Sequence, residues 1–358
     1  MVLYLKPIDS HVHLRWKEYA KTPFAKWAFE DAKTVGLLAV MEMPNTNPPL
    51  TNLQTLEKRK RIIEGLQDGV SYGTHIAFTP NRQQQNHALE VLFNGGVDWV
   101  NSDKTFYVHS TRSGEIEITN PEEQKATWQK KARNEYKGVS IGHFEDGDTF
   151  TGTFDYKRPE SHSERQNPEA ELVQIERQLV FADEAGFEGT FYIAHTSNPD
   201  SVDFVEKMRP NLNFKVVMGV TPHHMFLNVE DDYPIHGNFV KMNPPLRPKA
   251  MQEKILEYVL AGKFNVIATD HAPHPYELKR SETPPSGIPG IPIWPKAIEI
   301  LRSLGAKEDL IERMCFDNPN RLFFNGKIRP EYANVEYDPS LWDKYGINPY
   351  SRIDGSLK

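Results

Sequence analysis

The chain has 358 residues, 38% of them hydrophobic, with 6 Trp and 19 Phe, which is enough apolar material for one large core. Its formal net charge of −7 excludes a general binder of nucleic acid or anionic membranes, so any basic group that holds an anionic ligand must act locally. A single cysteine, Cys315, leaves no internal disulfide and fits a reducing, cytosolic compartment, and no apolar run or leader-like segment predicts membrane insertion or export.

In chain order, short runs rich in Val, Ile and Phe alternate with longer amphipathic stretches. The runs at 2–9, 36–43, 71–78, 97–106, 138–143, 190–195, 214–219 and 264–269 read as buried strands. Between and after them, helical periodicity covers 22–34, 52–65, 83–93, 121–136, 168–185, 201–208, 250–260, 293–304 and 308–316. Repeated strand–helix units predict parallel strands joined by crossover helices. Eight units in roughly 320 residues match a (β/α)8 TIM barrel with insertions, typically ~250 residues. We assign 1–325 to the barrel and 326–358, rich in Tyr, Pro, Asp and Asn, to an irregular extension packed across it. An open doubly wound sheet would carry a Gly-rich phosphate turn after its first strand; histidines stand there instead.

Those histidines are His11 and His13. In an extended strand residues i and i+2 share a face, so both imidazoles can reach one metal ion. Barrel enzymes build their sites at the C-terminal ends of the strands, and this chain places His11, His13, Arg15, Asn45, Lys104, His143, His195, Asp270 and His274 at or just after those ends. Singly, a strand-end histidine is a hydrogen-bonded packing residue and Asp270 an N-cap; together they read as a ligand set. An ammonium repels divalent cations, so Lys104 joins such a set only as a carbamate, formed when carbon dioxide adds to the neutral amine. The alternative for Lys104 is an ion pair with Asp103 or Glu145. The loop 108–114 is read either as a flap over the substrate or as an ordinary solvated loop. Segments 158–160 and 284–290 read as positioning loops, and His223 and His224 as packing behind the site, the alternative being that one of them lines the pocket.

The stretches Asp9-Ser10-His11-Val12-His13-Leu14-Arg15, Met43-Pro44-Asn45-Thr46-Asn47-Pro48, Thr221-Pro222-His223-His224, Asn243-Pro244-Pro245-Leu246-Arg247 and Thr269-Asp270-His271-Ala272-Pro273-His274 resemble the dihydroorotases of the amidohydrolase superfamily. The resemblance extends to Asn318-Pro319-Asn320-Arg321 and Tyr345-Gly346-Ile347-Asn348-Pro349-Tyr350. It implies two Zn2+ ions, with His11, His13 and Asp270 on one, His143 and His195 on the other, and a carboxylated Lys104 bridging them. It also implies that Asp270 is the catalytic base and that Arg15, Asn45 and His274 hold the substrate carboxylate, with Asn243 near them among the substrate-binding residues. The expected activity is reversible hydrolysis of (S)-dihydroorotate to N-carbamoyl-L-aspartate in pyrimidine biosynthesis, by a cytoplasmic protein, with a homodimer as the expected assembly in the manner of such barrels. The competing expectations are another cyclic amidase of the hydantoinase, dihydropyrimidinase or allantoinase kind, or an inactive scaffold barrel. Three departures from the family pattern stand out: Arg15-Trp16-Lys17-Glu18 after the histidine pair, Ile291-Pro292 where a glutamate is usual, and a charged insertion at 114–138. The small β-sandwich that many relatives carry is expected to be absent or incomplete.

Overall fold

The computed structural model describes residues 3–16, 19, 22–93, 99–108 and 116–357. Beyond Val108 the expected flap loop lies outside the described residues, as do Lys17, Glu18 and the first residues of the 97–106 run.

The described strands are β1 (Leu3–Leu5), β2 (Ile8–Val12), β3 (Ala39–Glu42), β4 (Ser71–Thr74), β5 (Ile76–Phe78), β6 (Ser102–Tyr107), β7 (Val139–Phe144), β8 (Thr190–Ile193), β9 (Lys215–Val220), β10 (Val266–Ile267) and β11 (Tyr332–Asn334). One parallel ladder runs β2-β3-β4 and a second runs from β5 through β10 in order. The two are continuous, because β4 and β5 are halves of one run interrupted at His75. The ring closes between its first and last strands. Val12 bridges His271 in parallel, and the His13 N–H donates to the His271 carbonyl at 2.7 Å. Among the described residues this is the predicted eight-stranded parallel barrel.

Asp9 reinforces that closure. Its carboxylate accepts from the Thr269 N–H at 3.0 Å, the Thr269 hydroxyl at 2.5 Å, the Trp294 indole at 3.0 Å and the His11 N–H at 3.3 Å. Each hydrogen bond to a charged acceptor is worth about 1.5–3 kcal/mol net. Burial alone pushes the Asp9 carboxyl up to about 6, against the pull of these donors.

Strand alternation sorts the side chains into two layers. Inside the ring, Ile8, Met41, Ile141, Tyr192, Val217 and Val266 pack together over Phe316, Phe323 and Phe324, which stop the N-terminal end of the barrel. Outside it, Val40, Phe191, Ile193 and Met218 pack against helix residues such as Trp128, Ile175, Leu179 and Ile255. The crossover helices begin where the sequence signals them. Asn167 caps Pro168–Glu184 with Pro168 in the first turn, and Asn52 forms a capping box with Thr55 at the start of Leu53–Glu64.

Several boundaries differ from the sequence reading. The 2–9 run breaks at Lys6-Pro7, where Pro7 has no N–H to donate, so β1 leaves the barrel and pairs antiparallel with β11. The C-terminal segment is therefore not wholly irregular, and this two-stranded ribbon stands where a fuller sandwich was expected to be missing. The 264–269 run shortens to Val266–Ile267 because Thr269 bonds to the Asp9 side chain rather than to a neighbouring strand. The 308–316 helix turns through a π segment, Arg313–Asp317, into Asn318–Phe323. Cys315 is buried in the core. No helix among the described residues is long and apolar enough to cross a membrane.

The tail crosses the outside of the barrel and buries Trp342, Tyr345 and Tyr350. Its polar anchor is Asp31, which accepts from the Tyr345 hydroxyl at 2.6 Å and pairs with Lys344 at 2.5 Å. Burial raises the Asp31 carboxyl to about 6, with Lys344 and Tyr345 opposing the shift. A folded-state pKa above the unfolded value means that protonation favours the fold. This contribution is present in full below about pH 4 and is lost as pH rises through about 6. Thermal or urea unfolding of the wild type and Asp31→Asn between pH 4 and 7 should show the stability difference drifting against the wild type as pH rises. A pH-independent difference contradicts the assignment.

Candidate active site

A cavity opens at the C-terminal rim of the barrel. It is lined by His11, His13, Arg15, Asn45, Lys104, Phe106, His143, His195, Asn243, Asp270, Ala272, His274, Pro285, Ser286 and Gly287. All ten residues singled out in the sequence therefore meet in one place.

Two mechanisms aim them inward. Lys104 and Phe106 on β6, and Ile141 and His143 on β7, follow simple alternation. Asp103 and Ser140 point outward, where both bond to the buried Lys131 ammonium at 2.6 and 2.5 Å. That pairing removes Asp103 as a partner for Lys104. His195 breaks alternation. Ala194 already packs with the inner layer, yet His195 lines the cavity because its backbone takes φ +40. Arg15 (φ +52) and Asp270 (φ +49) share this left-handed region, which costs non-glycine residues of order 1–3 kcal/mol each. On β2 the ladder to β3 shifts register between Asp9 and Val12. This irregularity lets Val12 pack outward while His11 and His13 face the cavity.

The ligand-type atoms of His11, His13 and Asp270 lie within 4.8 Å of one another. Asp270 Oδ1 is 3.2 Å from His11 Nε2 and 3.0 Å from His13 Nε2, but neither approach has hydrogen-bond geometry. The His143 and His195 rings stand 4.5 Å apart, and His195 is 5.3 Å from His11. Burial, followed by neighbouring cationic groups, holds His11 and His195 well below the usual imidazole range. They are neutral at physiological pH, with lone pairs available to a metal.

Lys104 is fully buried at the centre, and its Nζ has no hydrogen-bond partner among the described residues. Burial lowers it to about 7, only partly offset by the Asp270 charge. A substantial neutral-amine fraction is therefore present near neutral pH, which is what carbamate formation requires. Glu145, the other partner considered for Lys104, instead bonds His143 Nε2 at 2.7 Å. This leaves His143 Nδ1 as the ring atom that could serve as a ligand. The donor set fits divalent metal: Lys104 Nζ, His195 Nδ1 and Asp270 Oδ1 are buried polar atoms without hydrogen-bond partners among the described residues, and buried polar atoms are ordinarily satisfied. Among the described residues, His11, His13 and Asp270 could together hold a metal ion, and His143, His195 and Lys104 line the same cavity.

Polar groups surround the open side. His162 Nε2 donates to Asn243 Oδ1 at 2.9 Å, which leaves the Asn243 amide N–H2 for a ligand. His274 lies between two partners: Nδ1 accepts from the Tyr19 hydroxyl at 2.6 Å, and Nε2 donates to the Ser286 carbonyl at 2.8 Å. Behind His195, Glu171 accepts from the Ser197 and Asn198 amides at 3.0 Å, and Arg247 donates to the Ser197 hydroxyl at 3.0 Å. His223 and His224 are buried outside the cavity lining, and His224 bonds the Pro244 carbonyl. Arg158 sits on the surface, paired with Glu164.

Sequence reasoning missed Phe106 and His162, and weighed Glu145 only as the alternative partner of Lys104, not as the partner of His143. Phe106 and Glu145 each lie two residues beyond a strand-end ligand, so the period-2 rule was the available signal. His162 reaches Asn243 across 81 positions, and no local pattern announces it.

No family model matches the chain. A dihydroorotase of Halobacterium salinarum is 31% identical over 287 residues, covering 79% of this chain and 63% of that protein, so this chain spans just under two thirds of its length. A dihydroorotase of Archaeoglobus fulgidus is 30% identical over 337 residues, covering 91% of this chain and 74% of that protein. Among solved structures, an L-hydantoinase from Arthrobacter aurescens superposes with a TM-score of 0.75 at 20% identity, over 90% of this chain and 71% of that one, a likeness of fold. On the extent of its identity with the Archaeoglobus fulgidus relative, the chain belongs to the dihydroorotase family.

Proposed function

We propose that the chain is a metal-dependent dihydroorotase that reversibly hydrolyses the ring amide of (S)-dihydroorotate to N-carbamoyl-L-aspartate. The supporting observation is a single cavity that joins the His/Lys/Asp cluster to Arg15, Asn45, Asn243 and His274. A ring amide bearing a carboxylate needs both halves, whereas a neutral hydantoin or dihydropyrimidine ring has no use for an anion clamp. The ions we propose are two Zn2+, with Lys104 carboxylated; imidazole and carboxylate ligands also suit cobalt and manganese. We further propose residues 1–325 as the catalytic unit, with 326–358 as its extension. The same reading gives a cytoplasmic protein of pyrimidine synthesis, dimeric, with a small-molecule substrate and no nucleic-acid or membrane partner.

When bound, two such ions supply an ionised water near neutral pH and polarise the ring carbonyl. Arg15 pairs in bidentate fashion with the substrate carboxylate, and Asn45 and Asn243 add hydrogen bonds that align the amide carbon over the cluster, while His274, its two ring nitrogens taken by Tyr19 and Ser286, shapes the wall beside them. Asp270 takes the remaining proton of that ionised water as the C–O bond forms. It returns that proton to the ring nitrogen as the C–N bond breaks. In the reverse direction, Asp270 takes the proton from the carbamoyl nitrogen and gives it to the departing oxygen.

Purified protein assayed for dihydroorotate hydrolysis alongside metal quantification tests the reading. Two ions per chain and turnover are expected, chelation should abolish the turnover, and added Zn2+ should restore it. Less than one ion per chain with no turnover favours the scaffold reading. Arg15→Met should lower kcat/KM for dihydroorotate at least about a hundredfold, the scale of stripping one partner from a buried charge pair, with metal content unchanged. Wild-type activity favouring a neutral hydantoin transfers the chain to the hydantoinase class. Glu145→Ala removes the carboxylate that orients His143. Calorimetric titration of the apoprotein should then show Zn2+ affinity weakened about 10–100-fold, and unchanged affinity rejects that role.

A further inference from the structure

Lys279 ends the short helix Tyr276–Lys279 and is almost wholly buried, an expensive place for a cation. Its Nζ donates to the Lys241 carbonyl at 2.9 Å, the Gly287 carbonyl at 2.9 Å and the Pro285 carbonyl at 3.1 Å. An ammonium has three donors, so its bonding capacity is filled by backbone. After burial, the strongest influence on it is another cation, Lys241. Charge pairing therefore does not explain why it is there.

The three carbonyls belong to segments that meet at the cleft. Pro285, Ser286 and Gly287 line the cavity directly. The Gly287 N–H donates to the Lys241 carbonyl at 2.9 Å, and the Lys241 ammonium donates to the Ser286 hydroxyl at 2.7 Å. On its other side this wall presses against the end of the last barrel strand. A Cβ on Gly287, whose φ is +131, would lie 2.6 Å from the Ala272 carbonyl and 2.9 Å from His274 Nε2. The Ser286 carbonyl accepts a hydrogen bond from His274 Nε2 at 2.8 Å. The turn Pro285–Gly287, which runs on into the buried Ile288 and its bridge to His271, is thus held on its cleft side between an ammonium and an imidazole.

We propose that Lys279 is a positioning residue of the substrate cleft: by gathering the Lys241, Pro285 and Gly287 carbonyls it fixes the Pro285–Gly287 wall against His274, and so sets substrate affinity without touching the substrate. This rests on the site being a dihydroorotase cleft. The wall borders the proposed carboxylate clamp, and among the described residues its hydrogen bonds run to Lys241, His274 and Lys279, none of them in the His/Lys/Asp cluster. Loosening it should therefore weaken binding and leave the chemical step and the metals alone.

The test compares wild type, Lys279→Met and Lys279→Gln in dihydroorotate hydrolysis, with metal content measured on each. Lys279→Met should raise KM about tenfold, a loss of uniform binding, with kcat within about threefold and metal content unchanged. Lys279→Gln keeps two N–H donors and should give a smaller rise. Should Lys279→Met fail to fold, the glutamine variant decides by the same readouts. A KM within about twofold of wild type in the folded variants, or a fall in kcat or metal content at constant KM, overturns the proposal. A wild type inactive on dihydroorotate overturns the functional reading beneath it, and that outcome is seen before any variant is compared.

Discussion

Closure of the ring by the Asp9 carboxylate is the constraint on which the rest of the molecule hangs. The ligands of the cluster come from strands at opposite ends of the barrel sequence, and Asp9 and Thr269 are 260 positions apart. One buried carboxylate takes donors from its own strand, from the last strand and from the helix Trp294–Ser303. It thereby fixes His11 and Asp270 relative to each other through the backbone on either side. The close approach of three acceptor atoms at the rim, unfavourable by itself, persists because this framework over-determines it.

Electrostatics at the rim follow from burial more than from pairing. Water is excluded from His11, His195 and Lys104, so each is driven toward its uncharged form. Lys131, one layer further out, is equally buried yet has Asp103 and Ser140 to hold it. The contrast between these two lysines separates a structural cation from one that is set apart for chemistry.

Much of this was legible in the primary structure, and for definable reasons. Parallel strands buried on both faces leave continuous apolar runs, so the barrel was visible without any motif. Lys104, His143 and Asp270 fall at strand ends in the right phase for the interior. His195 was assigned by company alone, because its inward aim depends on a left-handed backbone that alternation does not encode. The ribbon between β1 and β11 was invisible, since three-residue strands carry too little pattern. Contacts such as His162 to Asn243, and Lys279 to three carbonyls, join loops whose proximity exists only in the folded chain. Family resemblance supplied the pairing of particular residues with particular ions, which spacing left open.

The aromatic plug of Phe316, Phe323 and Phe324 under the barrel has a consequence for molecular traffic. Among the described residues the lower end is stoppered, so visitors enter and depart on the rim side. Ring opening suits such a vessel, because cleaving a cyclic amide yields a single molecule and nothing is left behind to find a second exit.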